Sequence, residues 1–265
     1  MLSQQDIERG LRDLGLDPTS HVLAHTSYKS VGPVGGGPHT VARALVRSFA
    51  TLMMPVFTSD RTFVWDPRGL FKGNAYAPEP VRDAREPMPF TYDTPANKSM
   101  GIINETFRIA YPVLRTPHPS ASFAALGKLA EDLTGPGTEF DGLEPIRRLT
   151  EAGGSVLLIG VSHTNSTAIH LAEKLAGRQM FVRYAMAPSG VRAAMSGGCG
   201  NGFDQMQPHV QHLERRTKIG NAAVRAYDLQ PYVAAAVDLI RRDPLALLCD
   251  RCERCRAHRN RVAVA

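Results

Sequence analysis

The stretch Gly154–Glu173, reading GSVLLIGVSHTNSTAIHLAE, constrains this chain more than any other. An apolar run ends in Gly160. A hydroxyl-rich turn follows, and a helical segment then carries His170 and Glu173. The pattern is a buried strand that delivers a polar turn and a titratable pair to one edge of a sheet. Open α/β folds place their ligands at such edges, so the stretch points to an enzyme.

The rest of the chain supplies partners for that strand. Residues 3–14 read as a helix capped by Ser3. His21–His25 is a short strand, Pro38–Phe49 a helix with apolar residues at helical spacing, and Thr51–Phe57 a buried strand. Helices are expected over Met100–Ile109, Ser122–Leu133, Leu143–Ala152 and Thr167–Ala176, and a strand over Met180–Met186. The last third reads as mostly helical, notably Tyr232–Arg242. Strands separated by helices argue for an α/β fold, a mixed central sheet layered with helices. No repeat or linker interrupts the chain, which is read as one domain over 1–265. Residues 58–97 are rich in Pro, Arg, Asp and Gly and lack periodicity, as a lid or binding loop does.

Composition narrows the function classes. With 43% hydrophobic and 21% charged residues the chain is an ordinary globular one. No apolar run approaches the roughly 20 residues that cross a bilayer, and the N-terminal segment lacks the apolar centre of a signal peptide. A cytoplasmic protein without a membrane partner is expected. The net charge of +6 favours phosphates, although Arg251, Arg254, Arg256, Arg259 and Arg261 crowd a Cys-rich tail, 249–265, that reads as a solvated end. In that tail Cys249, Cys252 and Cys255 form C-x-x-C-x-x-C. With Cys199 or His258 as a fourth ligand they suit a structural zinc that staples the C-terminus; reduced free thiols are the other reading.

His170 and Glu173 share a helix face. A carboxylate beside an imidazole fixes its tautomer and suits it to general-base work. The alternative is a surface pair, with Lys174 claiming Glu173. His163 lies seven residues before His170, about 10 Å away along a straight helix, too far for a shared metal ion, and is placed in the turn before the helix. The loop Thr26–Gly37 offers Thr26, Ser27, Lys29, Ser30 and several glycines, which suit a phosphorylated ligand, but it has neither GxxxxGK[ST] nor GxGxxG. An ordinary flexible loop is the other reading of it. Arg115–Phe123 (RTPHPSASF) aims a cation, hydroxyls and His118 from a backbone stiffened by proline.

Taken in order, HTSYKSVGPVGGG (His25–Gly37), TLMMPVFT (Thr51–Thr58), YDTP with MGIINETFR (Tyr92–Arg108), RTPHPSASFAALG (Arg115–Gly127), VLLIGVSHTNSTAIHLAE (Val156–Glu173) and DPLALLCDRCERC (Asp243–Cys255) resemble the antibiotic N-acetyltransferase family, best known for aminoglycoside 3-N-acetyltransferases. The resemblance implies a fold distinct from the common acetyltransferase fold, acetyl-CoA as co-substrate, an amine acceptor and a role in antibiotic resistance. It implies His170 as catalytic base with Glu173 behind it. It assigns CoA to Thr26, Ser27, Tyr28, Lys29, Ser30 and Val31, and to Arg115, Thr116, Ser120, Ser122 and Phe123. His163, Asp93 and His118 are then candidates beside the acceptor, and Cys199 joins the three tail cysteines around zinc. Direct transfer in a ternary complex is expected, and a homodimer is allowed.

One departure stands out. Aminoglycoside-modifying members carry acidic residues just before the cysteine matching Cys199, whereas this chain has AMSGGCGNG (Ala194–Gly202) with no carboxylate there. Asp204, Glu173 or Asp93 would have to compensate. Two further readings stand beside the enzyme: a non-catalytic CoA or small-molecule binder of the same family, and a zinc-containing nucleic-acid-binding protein using the basic tail. The second is disfavoured by the 7% aromatic content and by the lack of a reading helix after the cysteines.

Overall fold

The computed structural model describes residues 1–64 and 86–262. Nine strands are β1 (His21–Thr26), β2 (Thr51–Pro55), β3 (Leu114–Arg115), β4 (Phe123–Gly127), β5 (Ser155–Ile159), β6 (Phe181–Ala187), β7 (Gly190–Ser196), β8 (Arg215–Ile219) and β9 (Ala222–Asp228). The helices are α1 (Gln4–Arg12), the single turn α2 (Tyr28–Val31), α3 (Gly37–Ser48), α4 (Ser59–Thr62), α5 (Ile102–Ala110), α6 (Ala130–Thr134), α7 (Glu144–Glu151), α8 (Ala168–Leu175), α9 (Gln207–Val210), α10 (Leu229–Arg242) and α11 (Glu253–Val262). Among these, none is long and apolar enough to cross a membrane.

Seven strands form one sheet in the order β3-β4-β2-β1-β5-β9-β8. β1 runs parallel to both β2 and β5, and the remaining pairs are antiparallel. Val22–Ala24 of β1 and Val156–Ile159 of β5 are apolar and buried because both faces of these central strands are covered. Along β5, Val156 and Leu158 enter one core while Leu157 and Ile159 enter the other. Ile146 and Leu149 of α7 pack in the first core, and Val41 and Leu45 of α3 in the second. The β1-to-β2 connection therefore passes one face and the approach to β5 passes the other. This makes β1 the topological switch point, and a crevice opens beyond the carboxyl ends of β1 and β5.

Two helical expectations fail. Ser122–Leu133 divides into strand β4, antiparallel to β2, and the short helix α6. A short Ala-rich apolar run carries no decisive period, and β2 offered it an open edge. The last third holds the hairpins β6–β7 and β8–β9 before α10 begins. The loop expected over 26–37 contains α2. Of the lid region, α4 and residues 86–97 dock beside β6, where Phe90 N–H donates to the Met186 carbonyl at 2.9 Å; residues 65–85 lie outside the described residues, as do 263–265 of the tail.

Candidate active site

β5 ends at Gly160, whose φ of +64° turns the chain. The turn brings Gly160 against Ser30: a Cβ there would lie 2.4 Å from the serine's own. One 3-10 turn, His163–Asn165, leads to Thr167 at the cap of α8. Ile169 and Leu171 are buried and anchor this helix in the core beside α10, each by about 1.5–3 kcal/mol. His170 thus leaves the first turn of α8 at the mouth of the crevice.

The Nδ1 atom of His170 lies 2.6 Å from Oε2 of Glu173. Glu173 is 3% exposed, and its other oxygen accepts from Nη1 of Arg178 at 2.5 Å. Arg178 Nη2 in turn donates to the carbonyls of Pro244 and Ala246 at 2.8 and 2.9 Å. Burial alone would raise the pKa of Glu173. The hydrogen bond to His170, joined by Arg178, outweighs it and holds the carboxyl below its usual range. Lys174 pairs with Asp141 and leaves Glu173 to the histidine. The imidazole also meets the Phe203 ring edge-on at 4.8 Å.

Two cavities meet at His170. The first, about 200 Å³, is bordered by His25, Thr26, Asn104, Ser166 and Thr167. The second, about 180 Å³, is bordered by Ser120, Phe123, Arg183, Ser196 and Arg254. Phe57, Thr167 and His170 face both. In the first, burial pushes the pKa of His25 down to about 3. Its neutral Nε2 accepts from the Thr167 N–H at 3.4 Å. Thr26 Oγ1 donates to Asn104 Oδ1 at 2.9 Å, and Asn104 Nδ2 donates to the Pro55 carbonyl at 2.8 Å.

The sequence candidates divide. Thr26, Ser120, Phe123 and His170 border the cavities. Ser27 and Ser30 do not: their hydroxyls are hydrogen-bonded to each other at 2.8 Å and Ser30 Oγ donates to the Gly160 carbonyl at 3.0 Å, tying down α2. Lys29 is exposed on that turn, Tyr28 is half-buried and Val31 is buried. Arg115 is a clamp, donating to the carbonyls of Tyr92, Thr94 and Val56. Thr116 Oγ1 accepts from the Phe123 N–H, and Ser122 Oγ donates to the Val56 carbonyl. His118 is fully buried, accepting from the N–H groups of Ser120 and Ala121 and bonding the Met195 carbonyl. His163, 2% exposed, bonds Tyr232 and Gln207. Neither histidine reaches the cavities, contrary to the acceptor role expected for them, because each spends both ring nitrogens on its own neighbourhood. Asp93 sits exposed in a turn. Asp204 accepts from Ser162 Oγ at 3.1 Å.

Residues that sequence reasoning missed are His25, Asn104, Arg183, Arg254 and Gly197. A Cβ on Gly197 would lie 2.2 Å from the His170 ring. His25 and Gly197 lie at the ends of β1 and β7, whereas Asn104 and Arg254 are helical and Arg183 lies within β6, so no shared local signal marks the five.

The sulfurs of Cys199, Cys249, Cys252 and Cys255 all lie within 4.8 Å of one another. Cys199 Sγ and Cys249 Sγ are 3.7 Å apart, far beyond a disulfide's roughly 2 Å, and close to the about 3.8 Å that two thiolates keep around tetrahedral zinc at 2.3 Å. His258 packs instead on Phe181, so Cys199 is the fourth member.

Residues 23–241 match the family model described as Aminoglycoside 3-N-acetyltransferase, and the chain belongs to that family. The aminoglycoside N(3)-acetyltransferase III of Salmonella sp. is 31% identical over 194 residues, 70% of this chain and 66% of that protein, so the match spans slightly less than two thirds of the relative. Among solved structures, aminoglycoside acetyltransferase AAC(3)-IVa superposes with a TM-score of 0.80 at 26% identity, covering 98% of this chain and 97% of that one. A histidine-to-alanine mutant of it was solved with gentamicin, at 25% identity over the same shares and with the same TM-score. AAC-IIIb, solved with CoASH, shares the fold at a TM-score of 0.71 and 24% identity over 91% of this chain and 96% of that one.

Proposed function

We propose that this protein is an acetyl-CoA-dependent N-acetyltransferase acting on an amine of an aminoglycoside-like or other amino-bearing small molecule. The observation that carries the reading is the His170–Glu173 pair at the junction of two cavities. A thioester and an amine entering from opposite sides would meet at one imidazole, which suits direct transfer in a ternary complex.

Glu173 holds the proton on Nδ1 and leaves Nε2 as acceptor. The amine nitrogen forms a bond to the acetyl carbonyl carbon as Nε2 takes its proton, and the carbon–sulfur bond breaks. The proton passes to the departing thiolate, which leaves as CoA thiol, and His170 returns to its neutral form. Thr26, whose hydroxyl would turn from Asn104 Oδ1, and backbone N–H groups of the same turn are the candidate donors to the carbonyl oxygen as it gains charge. The first cavity, with no charged side chain among the described residues and His25 held neutral, suits the uncharged amide arm of CoA. Lys29, exposed on α2 nearby, is the candidate for its phosphates. Family membership supports the donor, and the gentamicin complex of AAC(3)-IVa supports an amino-sugar acceptor.

The four-cysteine cluster is read as a structural zinc site that stands outside the chemistry. Four free thiols and no membrane helix among the described residues are consistent with a cytoplasmic protein.

His170→Ala tests the reading. Turnover should fall by about 10²–10⁴-fold, while acetyl-CoA still binds by calorimetry. Turnover near the wild-type level would remove the histidine from the mechanism.

A further inference from the structure

Four hydroxyl-bearing residues border the second cavity among the described residues: Ser59, Ser120, Thr167 and Ser196. Three are engaged by protein. Ser59 Oγ accepts from Asn97 Nδ2 at 2.9 Å, Ser196 Oγ accepts from Arg183 Nη1 at 3.4 Å, and Thr167 Oγ1 lies 3.3 Å from His25 Nε2. Ser120 is the exception. It is 2% exposed, and its Oγ has no hydrogen-bond partner among the described residues.

The segment that carries Ser120 is otherwise fully bonded. Within Arg115–Phe123 the side chains of Arg115, Thr116, His118 and Ser122 each bond the protein backbone. The backbone of Ser120 is held on both sides: its N–H donates to His118 Nδ1 at 3.2 Å, and its carbonyl accepts from the Thr58 N–H at 2.8 Å. A small shift of the segment toward a better partner would break these bonds. Burying an unpaired hydroxyl costs free energy, and a hydroxyl fixed on a rigid cavity wall is preorganised for a ligand oxygen.

The position of the serine selects the ligand. Its cavity is shared with His170, and the CoA arm is read into the other cavity, so the acceptor enters here. Phe57 and Phe123, edge-on at 5.4 Å, contribute apolar wall. A serine hydroxyl is both donor and acceptor, and beside apolar wall its natural complement is a neutral alcohol. A site built around such a bond rejects analogues that lack the oxygen.

We propose that Ser120 is a specificity-determining residue of the acceptor site, hydrogen-bonded to an alcohol oxygen of the amine substrate while the substrate's nitrogen meets His170. The proposal rests on the N-acetyltransferase reading and moves Ser120 from the donor side to the acceptor side. The alcohol is a handle only: the amide forms on nitrogen, CoA thiol is released, and the hydroxyl is unchanged.

Thiol release from acetyl-CoA with matched amines tests it: trans-2-aminocyclohexanol against cyclohexylamine, and ethanolamine against ethylamine. The alcohol of each pair should exceed its parent in kcat/KM. Ser120→Ala should shrink that ratio by about tenfold, a comparison in which the basicities of the amines cancel. KM for acetyl-CoA should be unmoved, and the melting temperature should equal or exceed that of the wild type, because the variant buries no unpaired hydroxyl. Ser120→Thr, which keeps the hydroxyl, should keep part of the ratio. Preference for the parent amines by the wild type, or an unchanged ratio in Ser120→Ala, would overturn the proposal and leave the transferase reading standing. So would a raised KM for acetyl-CoA at an unchanged ratio, since the hydroxyl would then serve the donor. A melting temperature several degrees lower in Ser120→Ala would also overturn it by making the hydroxyl structural. Consumption of no amine at all would defeat the transferase reading and this proposal together.

Discussion

Gly197 and His170 are in such close contact that a single methyl group would fall 2.2 Å from the imidazole Cδ2. The glycine forms the wall that holds the ring on its Glu173 side. Gly197→Ala should therefore push the imidazole aside. Misplacement of a catalytic group by about 1 Å costs on the order of 10²-fold in rate. Turnover should fall by that order while the melting temperature changes little. Wild-type turnover in the variant would show that the ring has room to shift without cost.

The Glu173–Arg178 pair is buried on both sides, with side chains 4% and 5% exposed. Removing one partner of such a pair costs about 3–5 kcal/mol. Arg178→Ala should lose stability on that scale in urea denaturation. The double variant Glu173→Gln, Arg178→Met should recover much of it, because no charge remains stranded, yet turnover should stay low because Nδ1 has lost its carboxylate. Recovery of turnover with stability would reduce Glu173 to a packing residue.

Burial lowers the pKa of His25 to about 3 and that of His118 to about 4, from 6.5. Between pH 6.5 and those values the unfolded chain binds protons that the folded chain refuses. Stability is thus intact above pH 6.5 and is lost as pH falls through this window, at up to about 1.4 kcal/mol per pH unit for each histidine. Denaturation midpoints should begin to drop before carboxylates titrate. His118→Gln should flatten that slope, and an unaltered slope would assign the loss elsewhere.

Purified protein should carry about one zinc per chain by elemental analysis. Zinc at a hundredfold excess over its Kd stabilises by about 2.7 kcal/mol, so stripping it, or making Cys252→Ser, should lower the melting temperature. Full-strength melting with no bound metal would make the cluster four reduced thiols.

Much of this architecture was legible from residues alone. The β5–turn–α8 unit declared itself because an all-apolar strand ending in glycine has few alternatives. Ligand chemistry left the place beside the three tail cysteines to Cys199 or His258, and it is the Cys199 sulfur that the fold gathers with them from some fifty positions away. Other features were hidden by distance along the chain. Asn104 meets Thr26 across 78 positions, and Arg183 and Arg254 converge from a hairpin and the final helix, with no local pattern to mark them. His118 and His163 looked like site residues because an imidazole in a hydroxyl-rich loop reads the same whether it faces solvent or locks a turn. β4 was mistaken for helix because alanine suits both states until a neighbouring strand decides.

The cysteine cluster also has a practical consequence for anyone engineering the protein. Cys199 lies two residues after the glycine that abuts the imidazole, and Arg254 lies between Cys252 and Cys255. Arg259 ties the same tail down through the Cys249 carbonyl. Trimming the chain before position 249 would remove three sulfurs and one cleft cation in a single cut, so a truncation made for convenience at the far terminus would behave as a lesion at the reaction centre.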